Sequence, residues 1–482
     1  MFYKDKLLRI FYNNQLFHLL SLYIIFLFII FFLNGNLYFN DENIKHLSTY
    51  FRDDIVFVYN SLLYSQGLDI HHLDHPSLFT YFFFSIFYKI FSFFGFLNAS
   101  DLNSLLNSGN FESTLNKLFY VSRLLIQIIS FLIIYLIYIL INKYSSDKFI
   151  SFLISILFIC SVGFTSASNR LESGLISLFF ALLAYYFLIR FLESQNKRGL
   201  LYFSITFLFI FSAMMQKKII FFLFPFLFLS AIFLLKKNFI EYFKYKFFNI
   251  NKFYLILLAG IYLFVLTFIS FKTIIKNTSH LPRDMDFVFL TISYFGLNLI
   301  LFYFIKFFQN KNYTNLLTFN IVIGVTYILY KYILINFFAA PIAVWSISFT
   351  NFIGQLNMFV GSEEIKGAHE FSNFLLYLKK IYLNLILSIK KYFFSFSFQS
   401  ILLWSNILLL VYNFRIINFQ KKFSILLLLF GFLIVQSVLL FRYEQDTYYL
   451  NSEILLLLAL ALNLSFLKKS KSIIFMSIIL IL

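Results

Sequence analysis

Charge is scarce in this 482-residue chain, with 12% Asp, Glu, Lys and Arg against 61% hydrophobic residues and a mean hydropathy of +0.84. A soluble domain carries about 25% charged residues, so the composition excludes an ordinary water-soluble fold and indicates a membrane protein. Cysteine is nearly absent: Cys160 stands alone in an apolar run. That excludes a disulfide framework, a Cys-x-x-Cys redox pair and a thiolate zinc site, and leaves Cys160 as a small packing residue. Of four prolines, only Pro225 falls inside an apolar run. The glycines build no nucleotide-binding loop in the inner loops defined below. Acids are the minority charge, 21 against 39 basic residues.

What the chain has in quantity is long apolar runs. Residues 16 to 39 contain no Asp, Glu, Lys or Arg, and they exceed the roughly 20 residues needed to cross hydrocarbon. Lys4, Lys6 and Arg9 precede this run as they would in a signal peptide. The run is too long and lacks a small-residue cleavage site, so it reads as a retained first helix. The predicted spans are 16–39, 118–141, 149–168, 172–192, 199–216, 218–235, 252–271, 287–307, 317–338, 397–413, 423–441 and 449–467. The expected fold is therefore an all-α polytopic membrane protein of about 12 transmembrane helices, a single integral membrane domain over residues 1–482. The segment from Ser472 onward, after Lys468, Lys469 and Lys471, is too short to cross and is expected on the inner surface.

Residues 77–97 are left out of the spans, because counting them reverses everything downstream. With them excluded, the basic clusters Lys4, Lys6, Arg9, Lys236, Lys237, Lys421, Lys422, Lys468, Lys469 and Lys471 share one side with only four acids, Asp5, Asp147, Glu193 and Glu241. The positive-inside rule makes that side, and both termini, cytoplasmic. Ser77, Tyr81, Ser85, Lys89 and Ser92 recur at helical spacing and form one polar stripe on a Phe-rich segment, which suits an interfacial helix. A spanning helix with tolerated hydroxyls is the alternative. Two long outer loops result, 40–117 with interfacial helices and 339–396, both with amphipathic pieces.

Ion-coupled transporters need ionisable groups and broken helices near the bilayer midplane. Here no acid falls mid-span: Glu172 and Glu453 sit at outer helix ends, and Lys331 is the one internal cation. The outer acids point instead to surface chemistry. Arg52-Asp53-Asp54 is followed about twenty residues later by Asp74-His75-Pro76. A carboxylate desolvated by Phe51, Phe57 and Tyr59 gains a raised pKa suited to a general base. Two structural readings stand beside this one. Asp53 and Asp54 suit an exposed helix N-terminus, and Asp74 suits the cap of a helix beginning near Pro76.

In order and type, these residues resemble the polyprenyl-phosphate-sugar-dependent glycosyltransferases of the GT-C fold, the protein-mannosyltransferase-like and Rgt-like bacterial members. The similarity rests on Asp53-Asp54 with the aromatic Phe57 and Tyr59, on Leu73-Asp74-His75-Pro76, on Arg123 in Val121-Ser122-Arg123-Leu124, and on Glu172 in Asn169-Arg170-Leu171-Glu172. Lys217 ahead of Pro225 and Arg442-Tyr443 are weaker matches. Glu172 stands where Asp is commoner, and Ser77 follows Pro76 where Pro or Gly is usual.

The resemblance implies inverting transfer of a sugar from a polyprenyl-phosphate donor to a glycan, lipid or protein acceptor, on the periplasmic face of a bacterial inner membrane. It makes Asp53 and Asp54 the catalytic pair, Asp53 the base. Asp74, His75, Arg123, Glu172, Lys217 and Arg442 would bind substrate, the cations holding phosphate. No cofactor is assigned; some relatives of the fold use divalent ions and others do not, and Asp53 with Glu172 as ligands to a divalent metal stays open. Membrane lipids are expected partners and nucleic acid is not. The competing readings are a lipid or polysaccharide exporter and a polymerase or ligase of lipid-linked glycans.

Overall fold

The computed structural model describes residues 14–39, 52–68, 77–171, 173–193, 219–235, 372–439 and 449–481, with scattered positions between 202 and 217. These residues form α1 (Gln15–Phe39), α2 (Arg52–Gln66), α3 (Leu78–Phe93), α4 (Leu102–Leu106), α5 (Phe111–Ser145), α6 (Lys148–Ile159) and α7 (Val162–Ser168). They continue as α8 (Ser173–Glu193), α9 (Ile220–Leu235), α10 (Ser372–Phe394), α11 (Phe398–Tyr412), α12 (Phe419–Val438), α13 (Leu450–Leu464) and α14 (Lys469–Ile481). Short polar residues punctuate otherwise apolar sequence. The side chains of Asp147, Ser161, Ser397 and Asn418 accept backbone N–H bonds at the starts of α6, α7, α11 and α12, satisfying donors that a helix start leaves unpaired.

The expectation of about 12 membrane-spanning helices does not hold. Among the described residues three helices are long and apolar enough to cross, α5, α8 and α12, and five spans result if each of two bent pairs counts as one. The predicted span 149–168 is broken into α6 and α7, which meet at 63°. The predicted span 397–413 corresponds to α11, which meets the Lys379–Phe394 part of α10 at 84°. The segments predicted at 218–235 and 449–467 are helices of 16 and 15 residues, α9 and α13. At 1.5 Å per residue they reach about 24 Å, short of a 30 Å hydrocarbon core. The predicted spans 252–271, 287–307 and 317–338 and most of 199–216 lie outside the described residues.

Why α13 can be so short follows from its place. All fifteen of its residues are buried, and it packs against α5, α6, α7, α9, α11 and α12. A helix that is apolar all round belongs in the centre of a bundle, and one shielded by neighbours has no need to match bilayer thickness. Asn406 and Asn463 bond each other across α11 and α13, Nδ2 to Oδ1 at 2.9 Å, and Asn413 Nδ2 donates to Asn463 O at 3.2 Å. Buried amides of this kind hold helices together where lipid gives no hydrophobic drive.

The outer faces carry the opposite signature. Tyr120, Leu124, Ile128, Leu132 and Tyr135 form an exposed apolar stripe down α5, bounded by tyrosines as at a membrane interface. α10 is inverted relative to a water-facing helix: Asn384, Ser388 and Tyr392 are buried while Leu383, Ile386 and Leu387 are exposed. Asn384 Nδ2 donates to Ser437 O at 3.1 Å and the Tyr392 hydroxyl to Gln436 Oε1 at 2.7 Å. The protein is membrane-associated, its polar groups turned inward and its apolar surface turned out.

α5, α6 with α7, and α8 run alternately between two ends of the bundle. At one end Lys143 pairs with Glu193 at 2.9 Å and Lys469 with Asp147 at 3.2 Å. The His18 ring, fully buried, lies 3.1 Å from the Tyr138 hydroxyl, so the start of α1 is on the same side. The start of α2 meets α5 toward the other end.

A candidate functional site where α2, α5 and α8 meet

Arg52, Asp53 and Asp54 open α2, where the positive end of the helix dipole stabilises acids. Asp54 is 1% exposed. One of its carboxylate oxygens accepts the backbone N–H of Leu171 at 2.9 Å, and the other accepts Arg123 Nη2 at 3.4 Å. Arg123 itself is 4% exposed and lies one turn inside Tyr120, where the lipid-facing stripe of α5 begins. One turn further along, Gln127 Nε2 donates to Ser168 O at 3.0 Å. Gln127 thus ties α5 to the end of α7, and Asp54 fastens the first turn of α2 both to Arg123 of α5 and to Leu171 in the α7–α8 connection. A buried carboxylate with a guanidinium and a backbone amide is a fixed charge pair; removing either partner strands the other in a low-dielectric site.

Behind this junction, the polar stripe of α3 faces inward. Asn60 Nδ2 donates to the Tyr81 hydroxyl at 3.3 Å, Tyr88 and Ser122 share a bond at 2.6 Å, and Thr80 donates to Gln216 Oε1 at 3.0 Å. Of the five residues in the predicted stripe, Ser77, Tyr81 and Ser85 are buried, Ser92 is half-buried and Lys89 is exposed. The stripe packs α3 against α2 and α5, and at 16 residues α3 is shorter than a straight span.

Lys217 follows Gln216 and is 9% exposed. Its amide donates to Ala213 O at 3.0 Å, an oxygen that also accepts Ser177 Oγ from the second turn of α8 at 2.9 Å. The structure therefore brings two of the predicted site residues, Asp54 and Arg123, into direct contact, and places the Lys217 backbone near the second turn of α8 through Ala213. Asp53 lies in the first turn of α2, and its side chain is outside what the structure describes. Asp74, His75, Glu172 and Arg442 lie outside the described residues. The side chains of both ligands of the open metal alternative, Asp53 and Glu172, are thus outside what the structure describes. Among the described residues, no three His, Cys, Asp or Glu side chains converge on a metal-sized site.

Nothing in the chain's resemblance is matched by comparison. No protein-family model, no curated protein and no solved structure matches this chain. The site is therefore read from its own geometry.

A second buried carboxylate carries weight that the sequence did not assign to it. Glu453, in the first turn of α13, is fully buried. It accepts Gln399 Nε2 of α11 at 2.8 Å and the Gly163 amide of α7 at 3.4 Å. A Cβ placed on Gly163 would stand 2.6 Å from Glu453 Oε2 and collide with the Leu450 backbone. Close approach of α7 to α13 is what this glycine permits. Neighbouring Ser452 bonds Gln436, which in turn takes the Tyr392 hydroxyl, while Lys391 Nζ donates to the Tyr449 hydroxyl at 3.3 Å. The one sequence signal was an acid at the outer end of an apolar run; its partners are 54 and 290 residues away.

Proposed function

We propose that the protein is a membrane glycosyltransferase that moves a sugar from a polyprenyl-phosphate donor to a glycan, lipid or protein acceptor at the outer, periplasmic face of a bacterial inner membrane. The supporting observation is the Asp54–Arg123 contact. Two residues 69 positions apart, each quoted independently for the resemblance, form one buried pair at the edge of the lipid-facing surface. Both Asp54 oxygens are engaged, so Asp54 positions the start of α2 and Asp53 is the base for the acceptor hydroxyl. Successive side chains on a helix diverge by about 100°, which suits one acid for anchoring and the next for proton transfer. Lys217 and the remaining cations of the set would meet the departing lipid phosphate.

The test is sugar transfer in membranes supplied with radiolabelled undecaprenyl-phosphate sugars, comparing the intact protein with Asp53→Asn at matched expression. Loss of a general base predicts a fall of about 10²–10⁴-fold. Equal transfer by the variant would remove Asp53 from the chemistry. The exporter is the second reading, favoured by the two bent spans, since discontinuous helices are common where transporters hold substrate. Absence of transfer from every donor by the intact protein would favour it.

A further inference from the structure

At the end of the bundle that holds Lys143 and Asp147, two turns lie side by side, one joining α11 to α12 and the other α13 to α14. They are pinned together by Asn413 Nδ2 on Asn463 O at 3.2 Å and by Lys471 Nζ on the Tyr412 hydroxyl at 3.0 Å. Three lysines here rest on aromatic rings: Lys421 over Phe466 at 4.6 Å, Lys422 over Phe414 at 3.8 Å and Lys471 over Tyr412 at 5.6 Å from the ring centroids. Arg415 and Lys468 stand in the same two turns and are exposed. The described carboxylates at this end are already taken, Asp147 by Lys469 and the α6 cap, and Glu193 by Lys143.

We infer that these paired turns form a binding site for the phosphate headgroups of anionic phospholipids. The chemistry is complementary on two counts. Cation–π contacts fix the direction of each lysine, while an ammonium keeps donors for phosphate oxygens because it carries three and a ring face occupies one side. Beside the cations, Ile416 and Phe419 are 67% and 61% exposed, apolar groups placed where acyl chains would lie. A basic pocket between membrane helices recognises headgroups in this manner, whereas scattered snorkelling lysines have no shared geometry.

The experiment is native mass spectrometry of the full chain in neutral detergent, with phosphatidylglycerol competing against phosphatidylcholine of the same acyl chains. The intact protein is expected to retain phosphatidylglycerol preferentially. Lys422→Gln should reduce that preference about fivefold, and Lys421→Gln with Lys471→Gln should each add a similar factor. A triple Lys→Arg variant should keep it, as should Lys117→Gln/Lys379→Gln/Lys390→Gln, which removes the same charge elsewhere. Because phosphatidylcholine binding serves as an internal reference, a misfolded variant is recognised by loss of both lipids, and the single variant then decides. No preference in the intact protein, or an equal loss in the Lys117 control, would overturn the site.

Discussion

Asp54 and Arg123 illustrate how much one buried pair can constrain in a membrane protein. Each is costly to bury alone, and together they fix the relative positions of α2, α5 and the α7–α8 turn. Replacing Arg123 with Met takes the guanidinium from the buried carboxylate, and a loss of about 3–5 kcal/mol is expected. Asp54→Leu in the same chain removes the stranded charge and should recover most of that loss. Unfolding midpoints in detergent at a fixed scan rate check this. Additive losses in the double variant would mean the two side chains act separately. At this scale the sequence was partly legible: residue types and order marked Asp54 and Arg123, but not their contact. Glu453 went unassigned because its partners, Gln399 and Gly163, come from two other helices, and no local spacing encodes that meeting.

At the scale of elements, apolar runs located α1, α8, α9, α11 and α13 within three residues at each end, because burial and lipid contact both select the same side chains. Breaks were harder to read. Ser161 accepts a backbone N–H and starts a new helix, yet in a hydropathy profile it is one tolerated hydroxyl in a continuous span. The twelve-span expectation failed there and at α9 and α13, where short helices pass as full spans once flanking turns are counted in. The α7 break also has a packing reason, since it carries Gly163 into contact with α13. Gly163→Ala must displace the Leu450 backbone or the Glu453 carboxylate, and overpacking of this sort costs about 1–3 kcal/mol. The expected outcome is a lowered unfolding midpoint, while Gly67→Ala, at a turn with open space around it but a φ of +77°, suffers only the backbone penalty. An unchanged midpoint for Gly163→Ala would show that α7 and α13 separate easily.

Over the whole molecule, the net charge of +18 is not spread evenly, and the distribution argues for a direction in the membrane. Cations cluster where α5 ends and α14 begins, and the capped, polar turns around Asp101 and Asn110 lie at the opposite end of α5. That helix is 35 residues long, about 52 Å, and so overshoots a 30 Å hydrocarbon layer. Asn107 and Ser146, which flank it, must therefore fall on opposite sides of the bilayer. In a Cys160→Ser background, a cysteine at Asn107 is expected to react with a membrane-impermeant thiol reagent added outside intact cells, and a cysteine at Ser146 only after permeabilisation. Reaction of Ser146→Cys from outside, with Asn107→Cys protected, would invert the molecule and place Asp54 and Arg123 toward the cytoplasm. It would also move the paired lysine turns to the outer leaflet, so the same two cysteines decide which membrane face each of the two sites can serve.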